Sequence, residues 1–440
     1  MKKSSKDWRR EFKSLNHNVK ALLYFTLTQS IGRGIWAGNV LSTFIYLLAD
    51  NSNEILGWTS GATGIMMTLV VFPAGALADR FRRDWILYSA AIIGIIGMFF
   101  LIFANTIYFV VIALLFWGFY QGLTRPALES LFADSVPSGN RSRIYSIRQF
   151  IQQVGMTVGP LVNIILFSIF GDNWHISILK NIMLVGIAFS FISLILMFFF
   201  SDNHSLGVKS DAININFQKA EDISIQKNKK NNLQEEITGK RHTAKHFSLN
   251  PKIIPYVLVS SNIIIGLGAG MSIKFFPIFF MEIYGMRPIL VQIIMGITFL
   301  TTGIMGLIAQ HFSKAKGRAQ IIFSVQGLAT LCLFLIAFYP PEIILIIIFI
   351  LRGSLMNAAQ PLSRSILMDI IPKKKRGKWN SIESLAWGLF WNASAVVGGY
   401  LIGSGNNFRL NFLVTGGIYL ISTLPLLLLF KTVDEEKEKK

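Results

Sequence analysis

The sequence predicts an all-α integral membrane protein with twelve transmembrane helices in two pseudo-symmetric six-helix bundles. Two observations on composition support this fold class: 52% of the 440 residues are hydrophobic, and only 15% are charged. A third observation is that the second half of the chain repeats features of the first half in order. A soluble domain of this length would need more charged residues to cover its surface.

Apolar stretches of about 20 residues recur along the chain, and each is long enough to cross a hydrocarbon core of about 30 Å. Within lipid every backbone polar group must be satisfied by the protein itself, so these stretches are expected to be helices. The alternative, a transmembrane barrel, requires short alternating strands, and the sequence has no such pattern. The predicted spans are 21–49, 55–76, 85–105, 107–133, 147–170, 178–200, 253–281, 289–309, 319–339, 343–371, 381–402 and 412–430.

The spans divide the chain into a basic segment (1–20), a first bundle (21–200), a polar linker (201–250), a second bundle (251–430) and a short tail (431–440). The linker is rich in Lys, Asn, Asp, Glu and Gln and is expected to be largely disordered.

The distribution of Lys and Arg predicts the orientation of the chain in the membrane. One set of connections carries 34 of the 42 basic residues, and the other carries only Lys180, Arg287 and Arg409. Cytoplasmic loops hold the basic excess, so both termini and the linker are expected in the cytoplasm, and we expect the plasma membrane as the location. The net charge of +19 is therefore a topology signal, and no nucleic-acid partner is expected.

An internal repeat relates the two halves at an offset of 231 to 235 residues. Gly32 and Gly34 match Gly266 and Gly268, the run at 75–81 matches 306–312, and the run at 125–141 matches 360–376. Duplicated units of this kind allow two halves to rock about a site near the membrane midplane. The repeat therefore favours a secondary transporter that works by alternating access.

The run GALADRFRR at residues 75–83 resembles the loop motif of the major facilitator superfamily (MFS) between spans two and three. Gly75, Asp79 and Arg80 match the motif, whereas Arg82 replaces its second glycine and Asp84 its final basic residue. The resemblance covers nearly the whole chain. It implies twelve spans, a cytoplasmic linker after the sixth, and a central cavity lined by spans one, four, seven and ten.

Two further motifs of that family are incomplete. In the fourth span, Gly118 stands where many proton-coupled members have an arginine before the Gln121-Gly122 pair, which argues against simple proton coupling through this motif. In the fifth span, residues 155–160 resemble the beginning of the antiporter motif without its trailing glycine pair. The other interpretation of the latter run is close helix packing with a kink.

Four basic residues lie inside spans that the resemblance places around the cavity: Arg33, Arg125, Lys274 and Arg352. A charge near the bilayer centre costs about 2.5–3.5 kcal/mol on insertion scales, so such residues usually face water or a partner. No acidic residue lies as deep in spans one and seven, which predicts an electropositive cavity and an anionic or zwitterionic substrate. Asn39 is a polar candidate for the same wall. The alternative is that Arg33 and Arg125 bind carbonyls and tie helices together.

A set of charged residues near the cytoplasmic ends of the spans suggests a gate. Glu129 and Arg148 in the first half correspond at offset 235 to Arg364 and Glu383, with the signs exchanged. Pairing across the two halves would hold the cytoplasmic side shut, and Gly75, Asp79 and Arg80 lie beside this layer. The alternative is static pairing within each half.

Other function classes have less support in the sequence. The six histidines lie outside the apolar spans, and no glycine loop with the spacing of a phosphate site is present, so we expect no catalytic residue, metal or cofactor, and not an enzyme. A proton-coupled exporter of drugs or amphiphiles, favoured by the fifth-span motif and 13% aromatic residues, remains open, as do a transporter-derived sensor and a membrane enzyme. The expected partners of a monomeric chain are the bilayer, a small-molecule substrate and a coupling proton or ion.

Overall fold

The computed structural model describes residues 15–136, 141–206, 253–370 and 386–430, and in these ranges the chain is helical without strands. The first half contains α1 (His17–Trp36), α2 (Asn39–Leu48), α3 (Asn53–Arg80), α4 (Arg83–Ile102), α5 (Ile107–Ser135), α6 (Arg141–Phe170) and α7 (Ile176–Leu196). The second half contains α8 (Ile254–Ser272), α9 (Phe276–Tyr284), α10 (Pro288–Lys316), α11 (Arg318–Ala337), α12 (Glu342–Ile370), α13 (Trp391–Ile402) and α14 (Phe408–Thr423).

The described helices confirm the predicted fold class. Ten of them are long and apolar enough to cross a membrane, counting α8 and α9 as one span. The first span is formed by α1 and α2 together, and the eleventh by α13 with the π-helical turn Ala386–Phe390 that precedes it. The predicted position of the eleventh span begins at 381, and residues 381–385 lie outside the described ranges.

The structure adds detail at two of the predicted boundaries. The first span, predicted over 21–49, consists of two helices, because α1 ends at Trp36 and Gly38 takes a positive φ of 69° that other residues disfavour. Next to the predicted start of the linker at 201, the chain forms a helical turn at Asp202–His204 that packs on the end of the first bundle. The disorder predicted for the remainder of the linker concerns residues outside the described ranges.

Small residues let α1 lie directly against α6 and α7. A side chain at Gly159 of α6 would overlap the backbone of Gly34 in α1, and a Cβ at Gly32 would lie 2.6 Å from the Ser190 hydroxyl of α7. Lipid provides no hydrophobic force between helices, so contacts of this closeness supply much of the packing energy through dispersion. They fix α1, which carries Arg33, as a rigid wall of the first half.

The two halves meet mainly at the end of the molecule that carries few basic residues, called here the opposite end. There Asn53 donates hydrogen bonds to the Gly403 carbonyl (3.0 Å) and to Asn406 Oδ1 (2.9 Å). At the same end the Trp58 indole donates to the hydroxyl of Tyr400 at 3.0 Å. Helix α3 lies along α13, and α6 lies along α10. These contacts close the cleft between the halves at the opposite end.

The other end, called here the basic end, carries the connections rich in Lys and Arg and the described chain ends Leu15 and Phe430. Polar residues on the inner helices α5 and α12 are exposed in this part of the molecule; they are Arg125, Glu129, Asn357, Gln360 and Arg364. Because exposed charges in this set lie on helices of both halves, the cleft between the halves opens toward the basic end.

We predict that Gly159→Ala lowers the midpoint of thermal unfolding in detergent, because the added methyl group has no space beside Gly34. Overpacking of this kind costs about 1–3 kcal/mol. The matched control is Gly303→Ala in α10, where a Cβ meets no atom within 4 Å. Both changes alter the unfolded chain equally, so the difference between them reports packing. Equal midpoints for the two variants would contradict the close contact between α1 and α6.

Candidate functional site

The first-half wall of the cleft is built around Arg33 in the middle of the first span. Its side chain is only partly exposed, and its Nε is buried without a hydrogen-bond partner in the described part of the chain. One turn earlier, Gln29 donates a hydrogen bond to the Tyr120 hydroxyl of α5 at 2.8 Å, which joins the two helices beside Arg33. A guanidinium that keeps an unused donor in a membrane span has capacity to bind an acceptor.

Arg125 extends the same wall from α5. Its side chain is exposed, and it interacts electrostatically with Arg33, which repels it, and with Glu129, which attracts it. Glu129 follows Arg125 by four residues and so lies on the same face of the helix. The prediction that Arg33 and Arg125 belong to one site is consistent with this proximity, and the exposed position of Arg125 gives no support to a role in tying helices together.

Lys274 lies in the 3₁₀-helical segment Ile273–Phe275 that separates α8 from α9. Its Nζ donates a hydrogen bond to Asn392 Oδ1 of α13 at 2.7 Å, and Asn392 in turn donates to the Gly388 carbonyl. A neutral amide therefore orients Lys274, and no carboxylate forms an ion pair with it among the described residues. Asn392 did not emerge from the sequence, although an amide in an apolar run next to a close helix contact is a usable signal.

Asn39 is the first residue of α2 and lies directly after the break at Gly38. The segment that holds Lys274 contacts α2. At the offset of 234 that relates these spans, the break at 37–38 corresponds to 271–272, directly before the 3₁₀-helical segment Ile273–Phe275, so the two interruptions occupy neighbouring positions in the two copies. Interrupted spans in corresponding positions of two repeats mark the substrate sites of many transporters. The predicted role of Asn39 in the cavity wall stays a prediction.

Arg352 occupies a different environment from the other three basic residues. It is 4% exposed, and its guanidinium carbon lies 4.7 Å from the centroid of the Phe276 ring. Phe276 stacks on Phe412 with centroids 5.0 Å apart. The structure thus places Arg352 inside the second bundle, away from the exposed wall of the cleft. It contacts Phe276, the first residue of α9, beside the segment that holds Lys274. The predicted role of Arg352 in substrate binding stays a prediction.

Arg33, Arg125 and Lys274 share one electrostatic property. In the part of the chain that the structure describes, no carboxylate lies within the 4.0 Å of an ion pair from any of the three. Arg33 and Lys274 are partly buried, where the effective dielectric constant is lower than in water, so they act more strongly on a nearby anion than they would in bulk solvent. Glu129 offsets part of the charge of the exposed Arg125.

The predicted gate residues form one pair in this structure. Arg148 donates to Glu129 Oε1 at 2.6 Å, with 20% and 49% of the respective side chains exposed. Arg364 is exposed on α12, and Glu383 lies outside the described residues. The observed pairing is thus within the first half, as expected where the basic end is open, and the pairing across the halves stays a prediction.

The loop between α3 and α4 is held by residues that the sequence reasoning did not select. Arg83 forms an ion pair with Asp134 of α5 at 2.5 Å, and its backbone N–H donates to Asp202 at 2.9 Å. Of the motif residues, Gly75 has open space around it and Arg80 is exposed. The side chain of Asp79 lies outside the described part of the structure. Asp134 and Asp202 each lie within two residues of the end of a predicted span, and this position was the available signal.

Comparison with known proteins places these features in a family. The family model of the Major Facilitator Superfamily matches residues 25–256 and 258–440. The uncharacterized MFS-type transporter YhjO of Bacillus subtilis is 30% identical over 104 residues, which are 24% of this chain and 25% of that protein. The multidrug resistance protein MdtG of Citrobacter koseri is 24% identical over 179 residues, 40% of this chain and 44% of that protein.

The chain thus spans less than half the length of these curated relatives. Solved structures show the fold over a greater length. A D-xylose-proton symporter has a TM-score of 0.67 at 14% identity, covering 93% of this chain and 96% of its own. A bacterial homologue of the iron transporter ferroportin in an inward-facing state has a TM-score of 0.65 at 14% identity, covering 94% and 98%. With its family model matched along nearly the whole length, the chain belongs to the Major Facilitator Superfamily and is a multi-pass membrane transporter.

Proposed function

We propose that this transporter is a secondary active carrier that moves an organic anion across the plasma membrane by alternating access, with both termini in the cytoplasm. The observation that carries the proposal is that Arg33, Arg125 and Lys274, three basic side chains within the spans, form no ion pair among the described residues. With the orientation proposed from the basic residues, the open basic end faces the cytoplasm, and the conformation is inward-facing.

The chemistry of the three cations favours a carboxylate, phosphonate or similar oxyanion. A guanidinium offers a planar set of donors that matches two oxygens of such a group. Asn392 orients the Lys274 amine by a hydrogen bond. Gln29 lies one turn before Arg33 on the first span, and Asn39 follows the break in that span; their amides would bind polar uncharged parts of the substrate.

Electrostatics also links binding to the conformational change. Arg33 and Arg125 repel each other in the empty cleft. An anion between them would remove this repulsion and would attract positive charge from the facing half, which favours the closure of the basic end. A ligand can shift a conformational equilibrium only by the difference in its affinity for the two states. Here that difference would come from contacts with both halves.

A second candidate is a proton-coupled exporter of drugs or amphiphiles. The similarity to a protein named for multidrug resistance favours it, although that match covers 40% of the chain. The glycine at position 118 argues against it, and so does the lack of an ion pair on Arg33, Arg125 and Lys274 among the described residues. A carrier for cationic drugs would gain nothing from the positive wall described here.

We expect organic anions, and not cations or neutral amphiphiles, to raise the unfolding temperature of the purified protein. A ligand at 100 times its dissociation constant stabilises the native state by about 2.7 kcal/mol. In the variants Arg33→Gln and Lys274→Gln the same anion should bind at least tenfold more weakly, because a charge-assisted hydrogen bond is lost. Thr157→Ala is the control, since its hydroxyl bonds only its own helix. Stabilisation by lipophilic cations alone, or unchanged anion affinity in both variants, would rule out the proposed substrate class.

The gate gives a separate prediction for transport in proteoliposomes. If Glu129 and Arg364 pair across the halves when the basic end closes, Glu129→Arg and Arg364→Glu should each reduce transport, and the double variant should recover part of it, because the pair of residue 129 with Arg148 stays broken. The ion pair of Glu129 with Arg148 predicts that Arg148→Glu alone also impairs the cycle, without rescue by Arg364→Glu. Equal loss in the single and double charge-reversal variants would show that the two residues do not pair.

A further inference from the structure

Both interrupted spans are held at their breaks by a buried asparagine. In the first half, Asn163 of α6 donates from Nδ2 to the Ile35 carbonyl at 3.1 Å, one residue before the end of α1. In the second half, Asn411 of α14 donates from Nδ2 to the Met271 carbonyl at 2.9 Å, one residue before the end of α8. The last carbonyls of a helix have no partner within the helix, so in a membrane each break needs such a donor.

The two asparagines are matched in burial and in chemistry. Asn163 is 1% exposed and Asn411 is fully buried. The carbonyl partners fix the orientation of each amide, because an oxygen in place of Nδ2 would face another oxygen. In both residues Oδ1 is buried without a hydrogen-bond partner in the described part of the chain. Each side chain is thus placed for its donor function alone.

The surroundings of the asparagines differ in one respect. Asn411 makes its second hydrogen bond to the Gly398 carbonyl of α13, within its own half. Asn163 makes its second contact to Gln292 Oε1 of α10, in the other half, at 3.3 Å. Gln292 is 1% exposed, and its Nε2 is buried without a partner among the described residues. The hydrogen bond between Asn163 and Gln292 therefore joins the two halves inside the membrane, and both side chains have few other polar partners among the described residues.

The geometry points to Asn163 as a positioning residue that ties the break in α1, and with it the wall that carries Arg33, to the second half through Gln292. Asn411 holds the end of α8 in the same way, and among the described residues its side chain donates hydrogen bonds only within its own half. Because α6 slides or tilts against α10 whenever the halves rock, the contact between Asn163 and Gln292 must change during the cycle. It favours the conformation with the basic end open, in which it is formed.

The close contact at Gly34 couples the movement of α6 to that of α1. Backbone of α6 at Gly159 touches α1 at Gly34, next to Arg33 and one residue before the carbonyl that Asn163 holds. Since no side chain separates the two helices there, α6 and the end of α1 move as one body. A displacement of α6 relative to α10 therefore reaches Arg33 directly.

The test measures maleimide labelling of single cysteines in a Cys332→Ala background. Gln360→Cys reports opening of the basic end, and Val396→Cys, which packs against Gly61, reports opening of the opposite end. We expect Asn163→Ala to lower the ratio of the first labelling rate to the second by about fivefold, the size expected for one lost hydrogen bond. Gln292→Ala should give the same shift, and the double variant no further change.

Asn411→Ala is the matched control. It should lower the unfolding temperature about as much as Asn163→Ala does and leave the labelling ratio unchanged. If Asn163→Ala does not fold, Gln292→Ala still tests the tie, because it leaves the hydrogen bond to Ile35 intact. The proposal would be overturned if Asn411→Ala shifted the labelling ratio as much as Asn163→Ala does. It would also be overturned if Gln292→Ala left the labelling ratio unchanged. The labelling needs no substrate, so its outcome is independent of the proposed organic anion.

Discussion

The hydrocarbon core offers no water to backbone carbonyls or charged side chains, and the architecture of this transporter follows from that constraint. Two of its spans are interrupted at neighbouring positions of the two copies, and at each break the free carbonyl receives a hydrogen bond from a buried asparagine. Among the described residues discussed above, the basic side chains inside the spans line the cleft, bind a neutral amide or pack on an aromatic ring. Irregular backbone at membrane depth is tolerated under these conditions alone.

The same constraint gives the basic residues of the spans different surroundings. Arg125 is exposed and Arg33 and Lys274 are partly exposed, whereas Arg352 is buried against the Phe276 ring in the second bundle. A cation against an aromatic ring loses less on burial than a bare cation does. The two halves therefore differ. In the first half Arg33 and Arg125 carry guanidinium groups, and in the second half Lys274 carries an amine at the break in its span.

Span count, the duplicated halves and the positions of the buried charges could be predicted from the sequence, because hydropathy and a constant offset report them directly. The break after Trp36 could not, since the run over 21–49 is apolar on both sides of Gly38 and a single glycine is common in membrane helices. Asn163, Gln292 and Asn392 were also missed. Each of these amides matters because of the helices that it joins, and a single sequence contains no distances between helices. The depth of Arg352 in the membrane could be predicted, but the direction of its side chain could not.

The central claim is that two rigid halves enclose a cleft and exchange access between the basic end and the opposite end. Double electron–electron resonance tests this claim most directly, with spin labels at Phe81 and Phe312 for the basic end and at Thr106 and Ser404 for the opposite end, all of them exposed. The claim predicts two populations, in which conditions that shorten the distance at the basic end lengthen the distance at the opposite end. Distances at both ends that stay fixed in every condition, or that change in the same direction, would contradict it.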